Sequence, residues 1–189
     1  MKIILASQSP RRLEILNKHD IEPIVIPAGV DENLPEGISM EDAVKTLAHK
    51  KASAVYNLIK GNPDYSDSLI IGSDTVVFKD EIMGKPVDAD DAFRMLSSIR
   101  NTNHFVATGV ALINTDTGES TVLCDVTTVY CKKYSDNDIW DYINTVKPYD
   151  KAGSYAIQGE FGKHIDHIDG DYENVVGLPF YRIEKYLIK

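Results

Sequence analysis

The order of apolar, strand-like runs and amphipathic, helix-like stretches along this chain is what most constrains its fold. Strands are predicted at Lys2–Ala6, Leu69–Phe78, Phe105–Ile113, Thr121–Cys131, Ser154–Ile157 and His164–Ile168. Residue types that commonly start helices predict helix N-termini near Ser9, Ser39, Asp88, Ser135 and Pro179. An interleaved order of this kind predicts an α/β (α+β) fold built on one twisted, mixed sheet. No linker or repeat divides the 189 residues, so a single domain at residues 1–189 is predicted.

Charge and composition exclude several classes of protein. The net charge of −9 argues against binding to DNA or RNA, which usually requires a basic face. No apolar run approaches the roughly 20 residues of a membrane-spanning helix, and the N-terminus is broken too soon for a secretory signal. Cys124 and Cys131 are seven apart on one predicted strand, so they point to opposite faces and are expected to be reduced in a cytoplasmic protein. An anionic substrate would need a local cluster of lysine and arginine, with a metal ion.

The segment Ala6–Arg12 joins the first predicted strand to the first predicted helix. Free backbone N–H groups and the positive end of the helix dipole meet there, which favours anion binding. Arg11 and Arg12 add cations whose paired donors suit phosphate. An ordinary capped helix with two solvated arginines explains the same residues, and the spacing alone does not choose between the two.

Lys51 lies within the apolar face of the helix that begins near Ser39. At about 100° per residue it falls among the members of that face, which are Val44, Leu47, Ala48, Val55 and Leu58. Lys45 and Lys50 point elsewhere and are predicted to be surface charges. A lysine in this position either extends to the rim of the core or meets a buried anion.

Asp74 interrupts the apolar strand Leu69–Phe78. A carboxylate there is costly unless it binds a metal, pairs with a cation or lines a cleft. A strand end or bulge is the alternative, but the position inside the run favours a functional role. Gly72 would allow another backbone to approach closely.

Weaker candidates occupy three predicted loops. Glu32 could supply a second metal carboxylate, although an ordinary loop acid is the simpler interpretation. Lys85 stands in a tight turn, where lysines are more often solvated than catalytic. Gln158 carries an amide that could recognise the edge of a base, or could be a plain turn residue. His164 and His167 face opposite sides of a predicted strand, so they are not predicted to share a metal.

Taken together, these segments resemble the Maf family of nucleoside triphosphate pyrophosphatases. The matching segments follow the family's order and cover nearly the whole chain: Ala6–Arg12, Val30–Glu32, Leu47–Ala52, Gly72–Val77, Gly84–Pro86, Thr108–Ala111, Lys151–Gly159 and Asp169–Pro179. The resemblance implies a two-lobed fold around a central cleft, similar to that of inosine triphosphate pyrophosphatases, usually as a homodimer. It also implies hydrolysis between the α and β phosphates of a nucleoside triphosphate, with a divalent cation such as Mg or Mn.

The resemblance further implies roles for individual residues. Asp74 would be the general base, acting directly or through the metal, and Glu32 and Asp74 would lie at the metal. The phosphates would be surrounded by Ser7, Arg11, Arg12, Lys51 and Lys85. Arg11, Thr75 and Gln158 match the positions associated with base choice.

The pattern at the base-choice positions resembles the branch of the family that acts on dTTP and UTP. The sister branch, acting on 7-methyl-GTP, carries an acidic residue where Gln158 stands, which would suit a cationic base. The chain departs from the family pattern at three positions, since Ser73, Phe161 and His164 stand where alanine, glycine and an apolar residue are commoner. The alternatives are a 7-methyl-GTP or broad modified-nucleotide pyrophosphatase, and a nucleotide-binding regulator of septum formation without turnover.

Overall fold

Strands and helices interleave throughout the computed structural model, which describes residues 1–187. The strands are β1 (Lys2–Leu5), β2 (Ile24–Val25), β3 (Ser68–Lys79), β4 (Glu81–Met83), β5 (Asn103–Asn114), β6 (Ser120–Cys131) and β7 (Ile165–Asp169). The α-helices are α1 (Pro10–Lys18), α2 (Met40–Ile59), α3 (Ala89–Ile99), α4 (Asp136–Val146), α5 (Tyr172–Val176) and α6 (Phe180–Leu187). This confirms the predicted α/β class.

The seven strands form one mixed sheet. Their order is β2-β1-β3-β5-β6-β7, with β4 paired to β3. Strand β1 is parallel to β2 and β3, whereas the β3–β4 and β6–β7 pairs are antiparallel. The predicted mixed sheet is therefore confirmed. Within residues 1–187, no helix is long and apolar enough to cross a membrane.

The chain divides into two compact units. The first unit comprises Met1–Asp74, Thr108–Asp125 and the chain from Gly177 onward. The second unit comprises Thr75–Ala107 and Val126–Val176. The central cleft, the likeness to inosine triphosphate pyrophosphatases and the single-domain interpretation stay predictions.

The helix caps follow the polar residues that predicted them. The Ser39 hydroxyl accepts from the backbone N–H of Asp42 at the start of α2. Ser135 and Asp138 form a reciprocal capping box at the start of α4. Ser9 is the N-cap residue of α1, but its side chain makes no capping hydrogen bond. The caps at Ser39 and Ser135 satisfy backbone donors that a helix N-terminus leaves without an intrahelical acceptor.

Helix α2 lies directly on the backbone of β3 and β5 in the first unit. A Cβ at Gly72 would lie 2.3 Å from the carbonyl oxygen of Ala48, and a Cβ at Gly109 would lie 2.3 Å from that of Val44. Any side chain at these two positions would push the helix away from the sheet. The predicted close backbone approach at Gly72 is confirmed, and Gly109 supplies a second one.

The core of the second unit contains a buried histidine. His104 is 0% exposed, its Nε2 lies 2.6 Å from the Tyr155 hydroxyl, and its Nδ1 lies 3.9 Å from Cys131 Sγ. Burial, with a smaller contribution from the charge of Lys79, lowers the pKa of His104 to about 3. The ring is therefore neutral at pH 7.

Two sequence predictions about local structure are wrong. No strand forms at residues 154–157, because Gly153 and Ser154 have φ values of +65° and +66°, which a strand cannot contain. Leu58 is 71% exposed and does not belong to the buried face of α2. That face is centred on Ala48, Ala52 and Val55, so Leu58 falls at its margin near the last turn.

We expect Gly72→Ala to lower the free energy of unfolding by at least about 2 kcal/mol, because the new methyl group would overlap the backbone of α2. Gly29→Ala is the matched control, since a Cβ there would meet no atom within 4 Å. Urea denaturation of both variants measures the difference. Equal stability of the two would contradict the close contact.

We also expect His104 to make stability depend on pH. The pKa is about 3 in the folded protein and about 6.5 in an unfolded chain, so protonation favours unfolding. The stabilisation is complete above pH 6.5 and is lost as the pH falls toward 3. Between pH 7 and pH 5 the loss amounts to about 2 kcal/mol. Urea denaturation at both pH values should show that the free energy of unfolding falls less in His104→Asn than in the wild type. Equal falls in the two proteins would contradict a buried, neutral His104.

Candidate active site

The parallel pairing of β1 with β3 sets one residue after β1 and one residue within β3 beyond the same end of the ladder between them. Leu5 pairs with Ile71, and the N–H of Ala6 donates to the Ile71 carbonyl. Ser7 and Asp74 therefore both follow the last paired residues of this ladder. The carboxyl end of a parallel strand, here that of β1, is a common place for ligand-binding residues in α/β folds, and Asp74 lies beside it within β3.

Lys51 and Asp74 form a buried ion pair beyond this end of the β1–β3 ladder. The distance from Lys51 Nζ to Asp74 Oδ1 is 2.6 Å, and the two residues are only 9% and 8% exposed. Lys51 precedes Ala52, whose backbone nitrogen would lie 2.7 Å from a Cβ at Gly72. The close approach of α2 to β3 thus carries the ammonium group to the carboxylate. Of the two alternatives for Lys51, the structure shows the buried anion.

Glu32 completes a three-group cluster around the ammonium. Its Oε1 lies 2.6 Å from Lys51 Nζ, and its side chain is half exposed. The two carboxylate oxygens are therefore separated by at most twice that distance.

Outside this cluster, Lys50 Nζ donates to the backbone carbonyl of Asp31, next to Glu32. Lys50 is half buried and Lys45 likewise, so both lie nearer the surface than Lys51.

Arg12 is held in a fixed orientation by two hydrogen bonds. Its Nη1 donates to Ser7 Oγ at 3.2 Å, and its Nε donates to the carbonyl of Gly177 at 2.8 Å. Desolvation by burial lowers the pKa of Arg12, and the charge of Arg11 adds to this, whereas Asp74 and Glu32 raise it. The guanidinium remains charged at any physiological pH.

The carbonyl of Gly177 is a positioning group that the sequence analysis did not identify. It accepts from Arg12 Nε and also from the Ser73 hydroxyl at 2.9 Å. Ser73 is 0% exposed, so its hydroxyl needs such a partner. The one signal in the sequence was the glycine at this position, which lies in a segment already matched to the family. Its φ of +125° is a conformation that favours glycine.

The first unit therefore brings together five of the residues singled out from the sequence. These are Ser7, Arg12, Glu32, Lys51 and Asp74. Arg11 precedes Arg12 on α1 and is half buried, and its charge is one of the causes that lower the pKa of Arg12. The remaining three, Thr75, Lys85 and Gln158, belong to the second unit.

Two loops of the second unit are joined by a backbone hydrogen bond. The N–H of Gly153 donates to the carbonyl of Gly84 at 3.0 Å. Lys85 follows Gly84 in the turn after β4 and is exposed, while Gln158 follows Gly153 by five residues and is exposed as well. The bond connects the segment that carries Lys85 to the segment that leads to Gln158.

The donor set around Lys51 suits a hard divalent cation together with phosphate oxygens. Glu32 and Asp74 supply two carboxylates, whereas residues 1–187 contain no group of three or more histidine, cysteine, aspartate or glutamate side chains that could hold a metal. Mg²⁺ commonly takes one or two carboxylates from the protein and completes its shell with waters and substrate phosphates. The residues present fit such an ion.

We expect Arg12→Lys to lower the free energy of unfolding by about 1–2 kcal/mol, because one ammonium cannot replace both hydrogen bonds of the guanidinium. Arg11→Lys is the neighbouring control and should change stability by no more than about 0.5 kcal/mol. Urea denaturation at pH 7 measures both. Similar losses in the two variants would contradict the special placement of Arg12.

Comparison with known proteins gives a consistent result over the whole chain. The sequence profile of the family described as Maf-like protein matches residues 2–189. A dTTP/UTP pyrophosphatase from Caldicellulosiruptor bescii is 43% identical over 189 residues, which are 100% of this chain and 94% of that protein. A protein of the same name from Acetivibrio thermocellus is 40% identical, and the match spans 99% of this chain and 94% of that protein. Another, from Bdellovibrio bacteriovorus, is 36% identical, and the match spans 99% of this chain and 97% of that protein.

Proposed function

This chain belongs to the Maf family, and on that premise we propose that it is a nucleoside triphosphate pyrophosphatase acting on dTTP and UTP. The products are the nucleoside monophosphate and pyrophosphate. The similar proteins named dTTP/UTP pyrophosphatase support the substrate. The observation that carries the proposal is the cluster in which Lys51 Nζ lies 2.6 Å from both Asp74 and Glu32.

The cations of the site bind the triphosphate. Hydrolysis at phosphorus depends mainly on positioning and on neutralising charge, because the substrate carries several negative charges. The groups that serve this purpose are Ser7, Arg11, Arg12, Lys51 and Lys85. Arg12 is already oriented by Ser7 and Gly177, so little reorganisation is needed when a phosphate binds. These local cations offset a chain whose net charge is −9.

Glu32 and Asp74 are the residues that would hold a divalent cation, of the Mg or Mn type. When bound, such an ion neutralises phosphate charge and lowers the pKa of a coordinated water. Lys51 lies between the two carboxylates and limits their mutual repulsion. Glu32 is the more exposed of the two carboxylates.

Asp74 orients the attacking water and accepts its proton. The water oxygen bonds to one phosphorus of the α–β anhydride, and the bridging oxygen leaves with the other phosphorus. The overall reaction consumes one water and yields the monophosphate and pyrophosphate. Lys51, at 2.6 Å, fixes Asp74 in place while it acts.

Base choice is assigned to Arg11, Thr75 and Gln158. An amide carries both a donor and an acceptor, so Gln158 can pair with the edge of a neutral pyrimidine. A cationic base such as 7-methylguanine would favour a carboxylate at the same position.

The free thiols of Cys124 and Cys131 support a cytoplasmic location, and the family resemblance supports a homodimer.

We expect Asp74→Asn to lower kcat for dTTP by at least about 100-fold, because the amide cannot accept the proton of water. Lys51 keeps Glu32 as a partner, so the variant should remain folded. Asp141→Asn, at an exposed position of α4, is the matched control. Phosphate release from dTTP, UTP, CTP and 7-methyl-GTP is measured with a divalent cation, with and without added inorganic pyrophosphatase.

The outcomes of this assay separate the alternatives. Phosphate that appears only with the added enzyme, from dTTP and UTP, supports cleavage between the α and β phosphates. Phosphate that appears without it would mean removal of the terminal phosphate and would contradict the proposal. Hydrolysis mainly of 7-methyl-GTP would favour the sister activity, and retained binding without any turnover would favour the regulator.

A further inference from the structure

Gln158 lies in a short exposed turn whose two ends are buried. Gln158, Gly159 and Glu160 are exposed, while Tyr155 and Phe161 are only 6% and 1% exposed. The rings of Tyr155 and Phe161 pack against each other with their centroids 5.1 Å apart. The turn is therefore closed at its base by one ring–ring contact.

Both rings of this contact are held by the core of the second unit. The Tyr155 hydroxyl lies 2.6 Å from His104 Nε2. Phe161 packs edge-on against Tyr134 and Tyr142, with centroid distances of 5.6 Å and 5.2 Å. A buried ring with several ring neighbours has little freedom to move. The base of the turn is thus fixed from both sides.

The backbone between the two rings is equally constrained. The N–H of Gly159 donates to the carbonyl of Ala156 at 3.2 Å, and the N–H of Gly162 donates to the carbonyl of Gly159 at 2.9 Å. A Cβ at Gly162 would lie 2.6 Å from the carbonyl oxygen of Ile157. Gln158 is presented by a tight turn rather than by a flexible loop.

The chemistry of an amide makes this rigidity relevant to base choice. A thymine or uracil edge offers an N3–H donor and a carbonyl acceptor, whereas a cytosine edge offers the reverse pattern. An amide held in one position pairs with one pattern, but an amide that can shift and turn pairs with either. Discrimination between these bases therefore depends in part on how firmly the backbone turn that carries Gln158 is held.

We propose that the Tyr155–Phe161 ring contact is a specificity-determining positioning pair that holds Gln158 for thymine and uracil against cytosine. This rests on the function proposed above. Phe161 and Tyr155 do not touch the base themselves, and they act through the position of the turn. Their loss should relax the choice of base more than it slows the chemistry.

The test compares kcat/KM for dTTP with that for CTP in matched variants. Phe161→Leu keeps an apolar side chain and removes the ring contact. Tyr155→Phe keeps the ring and removes the hydrogen-bonding hydroxyl next to His104. Phe93→Leu is the control for loss of a ring contact elsewhere in the same unit, because Phe93 stacks on Trp140 at 4.8 Å. Thermal unfolding of each variant is measured alongside.

We expect the dTTP/CTP ratio to fall by about tenfold in Phe161→Leu, by less in Tyr155→Phe, and to stay unchanged in Phe93→Leu. In Phe161→Leu, kcat for dTTP should change by less than the ratio does. An unchanged ratio in a folded Phe161→Leu would overturn the proposal, as would an equal fall in Phe93→Leu. Should Phe161→Leu fail to fold, Phe161→Met removes the same ring with a flexible apolar side chain, and an unchanged ratio in that variant would overturn the proposal.

A second measurement separates failure of this inference from failure of the proposed function. Hydrogen–deuterium exchange of backbone amides at residues 156–162 should be faster in Phe161→Leu than in the wild type and in Phe93→Leu. A wild type that hydrolyses no nucleotide contradicts the proposed function, yet the exchange still reports on the turn. Unaltered exchange in Phe161→Leu would overturn the positioning role in either case.

Discussion

The ion pair of Lys51 with Asp74 depends on how closely helix α2 approaches the sheet, and the candidate site depends on that ion pair. Each charge would be unfavourable alone, one on a buried helix face and the other inside an apolar strand. Side by side, with Nζ and Oδ1 2.6 Å apart, each charge partly offsets the cost of burying the other. The approach is possible because Gly72 carries no side chain where the backbone of α2 passes.

Much of the fold and part of the site could be predicted from the sequence because these features are local. The periodicity of strands and helices depends on residues that are close together in the sequence, and so do the caps at Ser39 and Ser135. Lys51 and Asp74 were recognisable because each breaks an apolar pattern. Such local inconsistencies are often the marks of function.

The remaining features could not be predicted because they arise from contacts between distant parts of the chain. Lys51 and Asp74 each lacked a known partner until the fold brought them together from 23 residues apart. Arg12 and its acceptor at Gly177 are separated by 165 residues. The left-handed backbone at Gly153 and Ser154, which excludes the predicted strand, is likewise surrounded by the core. Contacts between distant residues also explain two of the departures from the family pattern. The Ser73 hydroxyl donates to the Gly177 carbonyl, and Phe161 packs within a cluster of rings.

Neighbouring lysines on α2 provide the most direct test of the account. Lys51 lies between two carboxylates, whereas Lys50 reaches only the backbone of Asp31 among the contacts described above. The measurement is the rate of pyrophosphate formation from dTTP by Lys51→Met and by Lys50→Met. A loss of at least about 100-fold in the first and of no more than about threefold in the second is predicted. Comparable rates in the two variants would contradict the account.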